Sequence, residues 1–346
     1  MRVNLSFFLE LYATLNALRQ QLTKKVESVT SDNFESLALE VFQYQAEHNL
    51  LYRQYLQLLN ILPASVTSLA AIPLLPIQFF KNYVIKSGEN WQPEAIFESS
   101  GTTGQIPSRH FIPDLDFYLR NAKRGFEHFY GDLSQYCILA LLPSYLERSG
   151  SSLVAMAAYF IEQSRYPQSG FFLYEQERLM QTLVDCVKNN IPTILLGVSF
   201  ALFDLAENQE LSMRDHIVLM ETGGFKGRKE IIRENLHDYI CQKFNLKSVH
   251  SEYGMTELLS QAYSKGKGIF SPAPTMQVLT RQITDPLSPE KINKTGLIGV
   301  IDLANISSMS FLLTEDLGRV HPNGSFEILG RADNSDIRGC SLLLLN

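Results

Sequence analysis

The chain lacks the features that mark a membrane span, a secretory protein or a nucleic-acid binder. No apolar run approaches the roughly 20 residues a membrane-spanning helix needs, so no integral membrane segment is expected. Residues 1–9 have no basic n-region, and Glu10 intervenes before any sizeable apolar stretch, which reads against a signal peptide. There are only four cysteines in 346 residues, Cys137, Cys186, Cys241 and Cys340, far apart and without a CxxC pair. A chain this long needs no disulfides to hold a core, so reduced thiols in a cytoplasmic protein are expected. Excess positive charge is also missing. A net charge of -6 and a pI near 5.7 argue against nucleic acid as a partner. His237 and Cys241 sit i, i+4 with no third ligand near, which reads against a zinc site. His250, Ser251 and Glu252 are consecutive and point in different directions along a strand, so they form no triad among themselves.

What remains is an ordinary globular composition, 45% hydrophobic with a mean hydropathy of -0.05. It suits one large domain, or one with lobes, since single cores divide beyond roughly 250–300 residues. The organisation expected is a helical segment over 1–90, an αβ core over 91–265 and a β-rich lobe with a short tail over 266–346. In the first part, Phe34, Leu37, Ala38, Val41 and Phe42 follow helical spacing behind Asp32 and Glu35 as capping residues. Prolines 63, 73 and 76 then lead into an extended segment, Ile72–Ile77. Apolar runs at 138–142, 171–174, 193–197 and 216–220 alternate with amphipathic stretches such as 177–189 and 229–244, the pattern of a parallel sheet with covering helices. After about residue 268 the helices stop, and runs 297–303, 309–314 and 325–329 predict strands.

Four motifs carry chemistry. In Ser99-Ser-Gly-Thr-Thr-Gly104, two glycines free the backbone to curl its N–H groups around an anion, and four hydroxyls add donors. It is not a Walker A loop, because Gln105 stands where lysine would follow. Ser251-Glu-Tyr-Gly-Met-Thr-Glu257 follows a predicted strand, where α/β sheets place ligands. Thr256 offers a hydroxyl there, and Glu257 a hard oxygen suited to Mg²⁺. Thr314-Glu-Asp-Leu-Gly-Arg319 and Gly330-Arg-Ala-Asp333 place Asp316 and Arg331 to meet ribose hydroxyls and sugar or phosphate oxygens from a strand end. Singly, each has a bland reading: a polar turn, a helix start capped by Thr256, or a hairpin with a surface ion pair.

Their order decides. In this sequence and at these separations the motifs resemble the acyl-adenylate-forming superfamily of acyl-CoA synthetases, adenylation domains and luciferases. The resemblance implies that family's large N-terminal α/β domain: a helical start, parallel-sheet αβ layers and a smaller β-rich lobe. It implies a phosphate loop of Ser99, Ser100, Gly101, Thr102, Thr103 and Gly104, and an adenine loop in Glu221-Thr-Gly-Gly-Phe-Lys-Gly-Arg228 containing Gly223 and Gly224. Tyr253 to Glu257 resembles the Tyr-Gly-x-Thr-Glu motif, with Thr256 on the α-phosphate and Glu257 holding Mg²⁺. Thr314 to Arg319 resembles the Thr-Gly-Asp motif, with Glu315 where glycine is usual, Asp316 on the ribose and Arg331 its partner.

A narrower likeness rests on Gln105–His110, with Ser108 near the usual lysine position, on the Thr-Gly-Gly-Phe-Lys-Gly loop and on Leu142–Arg148. These are similar to acyl-protein synthetases, the synthetase component of the fatty-acid reductase complex of luminous bacteria, with phenylacetate-CoA ligases next. Superfamily members usually carry a further C-terminal lobe of roughly a hundred residues bearing a catalytic lysine. Only Ala332 to Asn346 follow Arg331 here, so that lysine's role is unassigned, and Lys226 and Lys229 are better read as solvated surface lysines. Cys340 stands in Ile337-Arg-Gly-Cys-Ser341. Residue physics alone favours a buried structural cysteine, although Gly339 gives the thiol room and Arg338 would lower its pKa. The resemblance reverses that choice, because acyl-protein synthetases carry the acyl group on a cysteine near the C-terminus.

The expectation is therefore a ligase that uses ATP and Mg²⁺ to convert a carboxylic acid, of fatty type, to acyl-AMP and pyrophosphate. The acyl group then passes to Cys340, which with Thr256 and Glu257 forms the catalytic set, and onward to an acyl reductase or another acyl-accepting protein. Two alternatives stand beside it: an acyl- or aryl-CoA ligase using free CoA, and a non-catalytic nucleotide-binding subunit. The oligomeric state is open, a homodimer included.

Overall fold

A computed structural model describes residues 17–88, 91–99, 106–143, 150–173, 175–209, 211–223 and 232–332. Contacts group the chain into two compact units. One comprises the described residues of Phe97–Ser100 and Leu115–Ala273, the other those of Met1–Ile96, Gly101–Asp114 and Pro274–Asn346.

The first unit is built on β1 (Cys137–Leu141), β2 (Gly170–Phe171), β3 (Thr193–Val198), β4 (Ile217–Thr222), β5 (His250–Tyr253), β6 (Ala262–Ser264) and β7 (Ile269–Pro272). Their order across the sheet is β7-β6-β5-β4-β3-β1-β2. β2, β1, β3, β4 and β5 pair in parallel, while β6 and β7 pair antiparallel. Every residue of β1 and β3 is buried, which is why both read as unbroken apolar runs: helices cover a parallel sheet on both faces. Parallel strands need crossovers, supplied by helices Ser152–Gln163, Gln176–Lys188, Ser199–Asn208 and Arg233–Phe244. Of the expected run at 171–174 only Phe171 enters the ladder, beside Gly170 in the two-residue β2. The register sets Val198 beside Thr222 and Thr222 beside Glu252, so β3, β4 and β5 finish together.

The second unit joins helices Phe34–His48 and Leu50–Leu58 to an antiparallel sheet of β8 (Met276–Arg281), β9 (Thr295–Asp302), β10 (Phe311–Val320) and β11 (Phe326–Arg331). The extended segment expected after Pro73 adds Leu75–Pro76 in parallel to β10. All five apolar residues that predicted the first helix are buried. Its cap differs from expectation. Asn33, not Asp32, holds the N-cap position, and its side chain accepts from Thr30 N at 2.8 Å rather than from the helix. Phe42, Tyr52 and Phe311 form the aromatic centre, with Phe42 edge-on to both others at about 6 Å. β8 was not foreseen, because Gln277, Thr280 and Arg281 break its apolar pattern. Arg281 is only 2% exposed and donates to the carbonyls of Ala70 and Ile72 at 2.8 Å each, tying β8 to the segment before Leu75.

Among the described residues, no helix is long and apolar enough to cross a membrane, and no group of three or more His, Cys, Asp or Glu could hold a metal.

Candidate functional site

In the first unit, the carboxyl ends of three neighbouring parallel strands collect the chemistry. Ser199 follows β3, Gly223 follows β4, and Gly254 follows Tyr253 at the end of β5. Ligands of α/β sheets bind at this edge, where backbone leaves the strands. Gly223 has φ +73°, a conformation that favours glycine. Gly254 is needed for a different reason. A Cβ there would lie 2.5 Å from Glu252 Oε1, so the carboxyl folds into space that a side chain would fill.

Thr256 and Glu257 occupy a turn closed by Leu258 N donating to Met255 O at 3.1 Å. No helix starts there, so the capping alternative for Thr256 falls. Thr256 is half-buried, while Glu257 is 7% exposed. A carboxylate oxygen has the hard-oxygen chemistry that Mg²⁺ takes. Tyr253 lies under this turn with its ring 5.8 Å from that of Phe270.

Two further carboxyls stand at the same strand ends. Glu221 is 3% exposed and is met by Ser199 Oγ at 2.7 Å, Arg233 Nε at 3.1 Å and His237 Nε2 at 3.6 Å. Burial pushes its carboxyl up, but His237, Arg233 and Ser199 together outweigh burial and hold it below the usual carboxylate value. Among the described residues, no cation is paired with Glu252. Burial, and then the charge of Glu221, raise it to about 7 against the lowering hydrogen bond from the Thr222 hydroxyl. One carboxyl of the pair is thus ionised and the other is near half-protonation at neutral pH. Glu221 stands in the Glu221–Arg228 segment and Glu252 in the Ser251–Glu257 motif, and neither is marked by residue type as a site residue. The available signal was two acidic residues at predicted strand ends.

In the second unit, Asp316 lies inside β10 rather than at a strand end, directly across from Arg331 of β11. The strand continues because a bulge between Leu317 and Gly318 absorbs the irregularity while pairing goes on to Val320. Thr314 donates to Ile298 O at 2.8 Å and accepts from Asp316 N at 3.1 Å, so this motif threonine shapes the backbone under Asp316. Asp316 is 7% exposed, with Arg331 Nε 3.7 Å from its Oδ1. Glu315, standing where the resembled motif usually has glycine, accepts from Arg331 Nη2 at 2.9 Å and from Gln78 Nε2 at 2.5 Å.

Ser99 is half-buried, but Ser100, Gly101, Thr102, Thr103 and Gly104 of the phosphate loop lie outside the described residues. So do Gly224, Lys226, Lys229 and Cys340 with its neighbours Arg338 and Gly339. Ser108 is buried at 2% exposure. His237 turns toward Glu221, and His250 Nδ1 lies 3.0 Å from Tyr130 Oη. Burial, and then Lys265, depress His250 to about 4, so it is neutral at physiological pH.

The acyl-protein synthetase family, LuxE, matches residues 23–346. The long-chain-fatty-acid–luciferin-component ligase of Vibrio harveyi is 22% identical over 330 residues, covering 87% of this chain and 84% of that protein. Among solved structures, an open conformation of 2-hydroxyisobutyryl-CoA ligase in complex with 2-HIB-AMP and CoA matches with a TM-score of 0.64 at 16% identity, over 90% of this chain and 78% of that one. ATP-bound MatB from Rhodopseudomonas palustris matches with a TM-score of 0.52 at 17% identity, over 68% of this chain. The chain spans 48% of that MatB chain, about half its length. The fold is the mixed α/β fold of the N-terminal domains of adenylate-forming ligases, as the motif order implied.

Proposed function

The chain belongs to the acyl-protein synthetase family, LuxE, and is an adenylate-forming ligase; from that premise we propose that it condenses a long-chain fatty acid with ATP and hands the acyl group to a thiol. A carboxylate is a poor electrophile because its leaving group would be oxide. Attack of its oxygen on the α-phosphorus of ATP expels pyrophosphate and leaves a mixed anhydride whose leaving group is AMP.

Negative charge gathers on the phosphorus oxygens in that step, so donors fixed beforehand around them lower the barrier. Thr256 supplies a hydroxyl to the α-phosphate, with the loop Ser99–Gly104 around the remaining oxygens. Glu257 is the residue that would hold Mg²⁺, which when bound neutralises phosphate charge. Asp316 accepts from the ribose hydroxyls, Arg331 lies beside it, and Tyr253, Gly223 and Gly224 border the adenine. In the second half-reaction a thiolate sulfur attacks the anhydride carbonyl. The new C–S bond replaces the C–O bond to AMP, and the thiol proton leaves to solvent. Cys340 is the thiol assigned here, with an acyl-accepting reductase as the onward partner. A cytoplasmic setting, where thiols stay reduced, suits this chemistry.

The observation that carries the reading is the buried Glu257 in a non-helical turn off the carboxyl end of β5, one strand over from Gly223. The test is ATP–pyrophosphate exchange over a panel of carboxylic acids. Exchange that depends on long-chain acids is expected, and no acid raising exchange above background overturns the proposal. Free CoA, the acceptor of the alternative ligase reading, is tested by adding it after adenylate formation and looking for acyl-CoA.

A further inference from the structure

The parallel register of β4 with β5 and the antiparallel register of β5 with β6 set three side chains in a row, Thr222, Glu252 and Tyr263. Residues paired directly across a sheet share a face, and this row points toward the helix Leu115–Tyr130. Tyr263 marks the direction, because its ring lies between 5.4 and 6.2 Å from those of Phe126, Phe129 and Tyr130. Glu221 precedes Thr222 in β4 and so turns to the other face, where Ser199, Arg233 and His237 meet it.

The two oxygens of Glu252 are not equivalent. Thr222 donates its hydroxyl to Oε2, and among the described residues that is the only hydrogen bond to this carboxyl. Oε1 bends forward along the strand to lie 2.5 Å from where a Gly254 Cβ would be, at the entry to the turn of Thr256 and Glu257. Since Oε2 already accepts, a proton on Glu252 belongs on Oε1 and makes it a donor facing that turn. Tyr263, directly across from Glu252, carries a second donor. The residue is 2% exposed, and its hydroxyl has no hydrogen-bond partner among the described residues. A buried donor left unpaired is costly, and native structures keep few of them without a use.

Two such donors suit an anionic oxygen. Adenylation needs the carboxylate of the acid within bonding reach of the α-phosphorus, and Thr256 is the residue assigned to that phosphate. A carboxylate beside a second ionised carboxylate is repelled, but beside a protonated one it gains a charge-assisted hydrogen bond, one proton then serving both groups. Resting on the adenylation reading, we propose that Glu252 receives the head of the fatty acid: Oε1–H donates to one carboxylate oxygen, Tyr263 Oη supports it, and the other oxygen is left to attack phosphorus. The proton remains on Glu252 through that step, so binding of the acid, and not of ATP, is linked to it.

Pyrophosphate exchange from pH 6 to 8, with fatty acid and ATP varied in turn, tests it. In wild type, KM for the acid is expected to rise about tenfold over that range, because Glu252 loses its proton as pH passes about 7. KM for ATP should move less than about threefold. In E252Q the amide donates at every pH, so KM for the acid should stay flat and within about threefold of the wild-type value at pH 6. E252A should lie about tenfold above that value and be equally flat, and Y263F should raise KM for the acid about three- to tenfold at each pH. The other groups facing this carboxyl hold their state over the range: Glu221 is kept ionised, His250 is neutral above about 4, and burial raises Tyr130 and Tyr263. Tyr118 and Lys265 stand on the same side, and His237 lies behind Glu221. A contribution from any of these would survive in E252Q. If E252Q fails to fold, the wild-type profile and Y263F carry the comparison. A wild-type KM for the acid that ignores pH, a rise that persists in E252Q, or an equal rise for ATP overturns the assignment. Absence of exchange by the wild-type chain with any acid overturns the adenylation reading and this one with it. Exchange whose acid KM is flat from pH 6 to 8 overturns this one alone.

Discussion

Thr222 donates its hydroxyl to the carboxyl of Glu252, the residue that the parallel register of β4 and β5 sets directly beside it. The bond joins the strand leading into the adenine loop to the strand leading into the Tyr253–Glu257 turn. Among the described residues it opposes burial and the nearby charge of Glu221, which together raise Glu252 to about 7.

Glu252 therefore couples stability to pH with a definite sign. Its folded value of about 7 lies above its ordinary 4.5, so the native state holds the proton more tightly. The stabilisation from the protonated form is complete below pH 4.5 and is lost as pH rises through 7, a swing of about 3 kcal/mol. Glu252→Gln keeps an oxygen for Thr222 and cannot ionise. Urea unfolding should show the variant more stable than wild type at pH 8, with the gap closing by pH 5. The depressed His250 acts equally in both proteins and cancels. Curves that stay parallel from pH 5 to 8 remove Glu252 as the titrating group.

Glu257 is buried in its turn at 7% exposure, and its assigned work is to hold Mg²⁺ against the phosphates. Glu257→Gln keeps the shape and removes the charge. Adenylation should fall at least tenfold, about 1.4 kcal/mol of barrier, and the Mg²⁺ concentration giving half-maximal exchange should rise. Undiminished exchange at ordinary Mg²⁺ sinks the assignment.

Asp316 should act on binding. Two hydroxyls accepted by one ionised carboxylate imply that Asp316→Ala weakens ATP by one to two orders of magnitude, roughly 1.5–3 kcal/mol. Calorimetric titration reads this directly. Unchanged affinity takes Asp316 out of the site.

The residues that were legible in the sequence are those whose meaning is local. Buried parallel strands write themselves as continuous apolar runs, so 138–142, 193–197 and 216–220 coincide with β1, β3 and β4 to within two residues. The Tyr253–Glu257 and Thr314–Arg319 motifs stand out because their residue types and order are unusual together. What escaped depends on partners far along the chain. Ser199 meets Glu221 22 residues on, and Thr222 meets Glu252 30 residues on. Gln78 reaches Glu315 across 237 residues. Arg281 looks like a surface residue until the carbonyls of Ala70 and Ile72 are folded against it. No periodicity encodes such pairs, and β8 was hidden by the same buried arginine.

The sharpest prediction separates transfer to the chain's own thiol from transfer to free CoA. Three of the four cysteines are free thiols within the two units. Cys137 and Cys186 are fully buried, and Cys241 lies half-buried on the helix Arg233–Phe244. By acidity alone Cys186 would compete, because its hydrogen bond with Cys137 draws its pKa down. Burial denies it an acyl-adenylate, since a thioester there would have to form inside the core. Burial, and then Asp238, raise Cys241, which leaves it a weak nucleophile. Cys340 is the acceptor proposed for this chain on its likeness to acyl-protein synthetases, with Arg338 to favour the thiolate and Gly339 to give it room. Cys340→Ser should thus leave pyrophosphate exchange largely intact and abolish hydroxylamine-labile labelling of the chain by an alkyne-tagged fatty acid and ATP. Single changes at Cys137, Cys186 or Cys241 should keep the label wherever the variant folds. Intact mass measurement on wild type with ATP and a series of acids locates the adduct. If no acid yields an adduct at Cys340, and added CoA is turned into acyl-CoA, then the acceptor is CoA and Cys340 has a structural role.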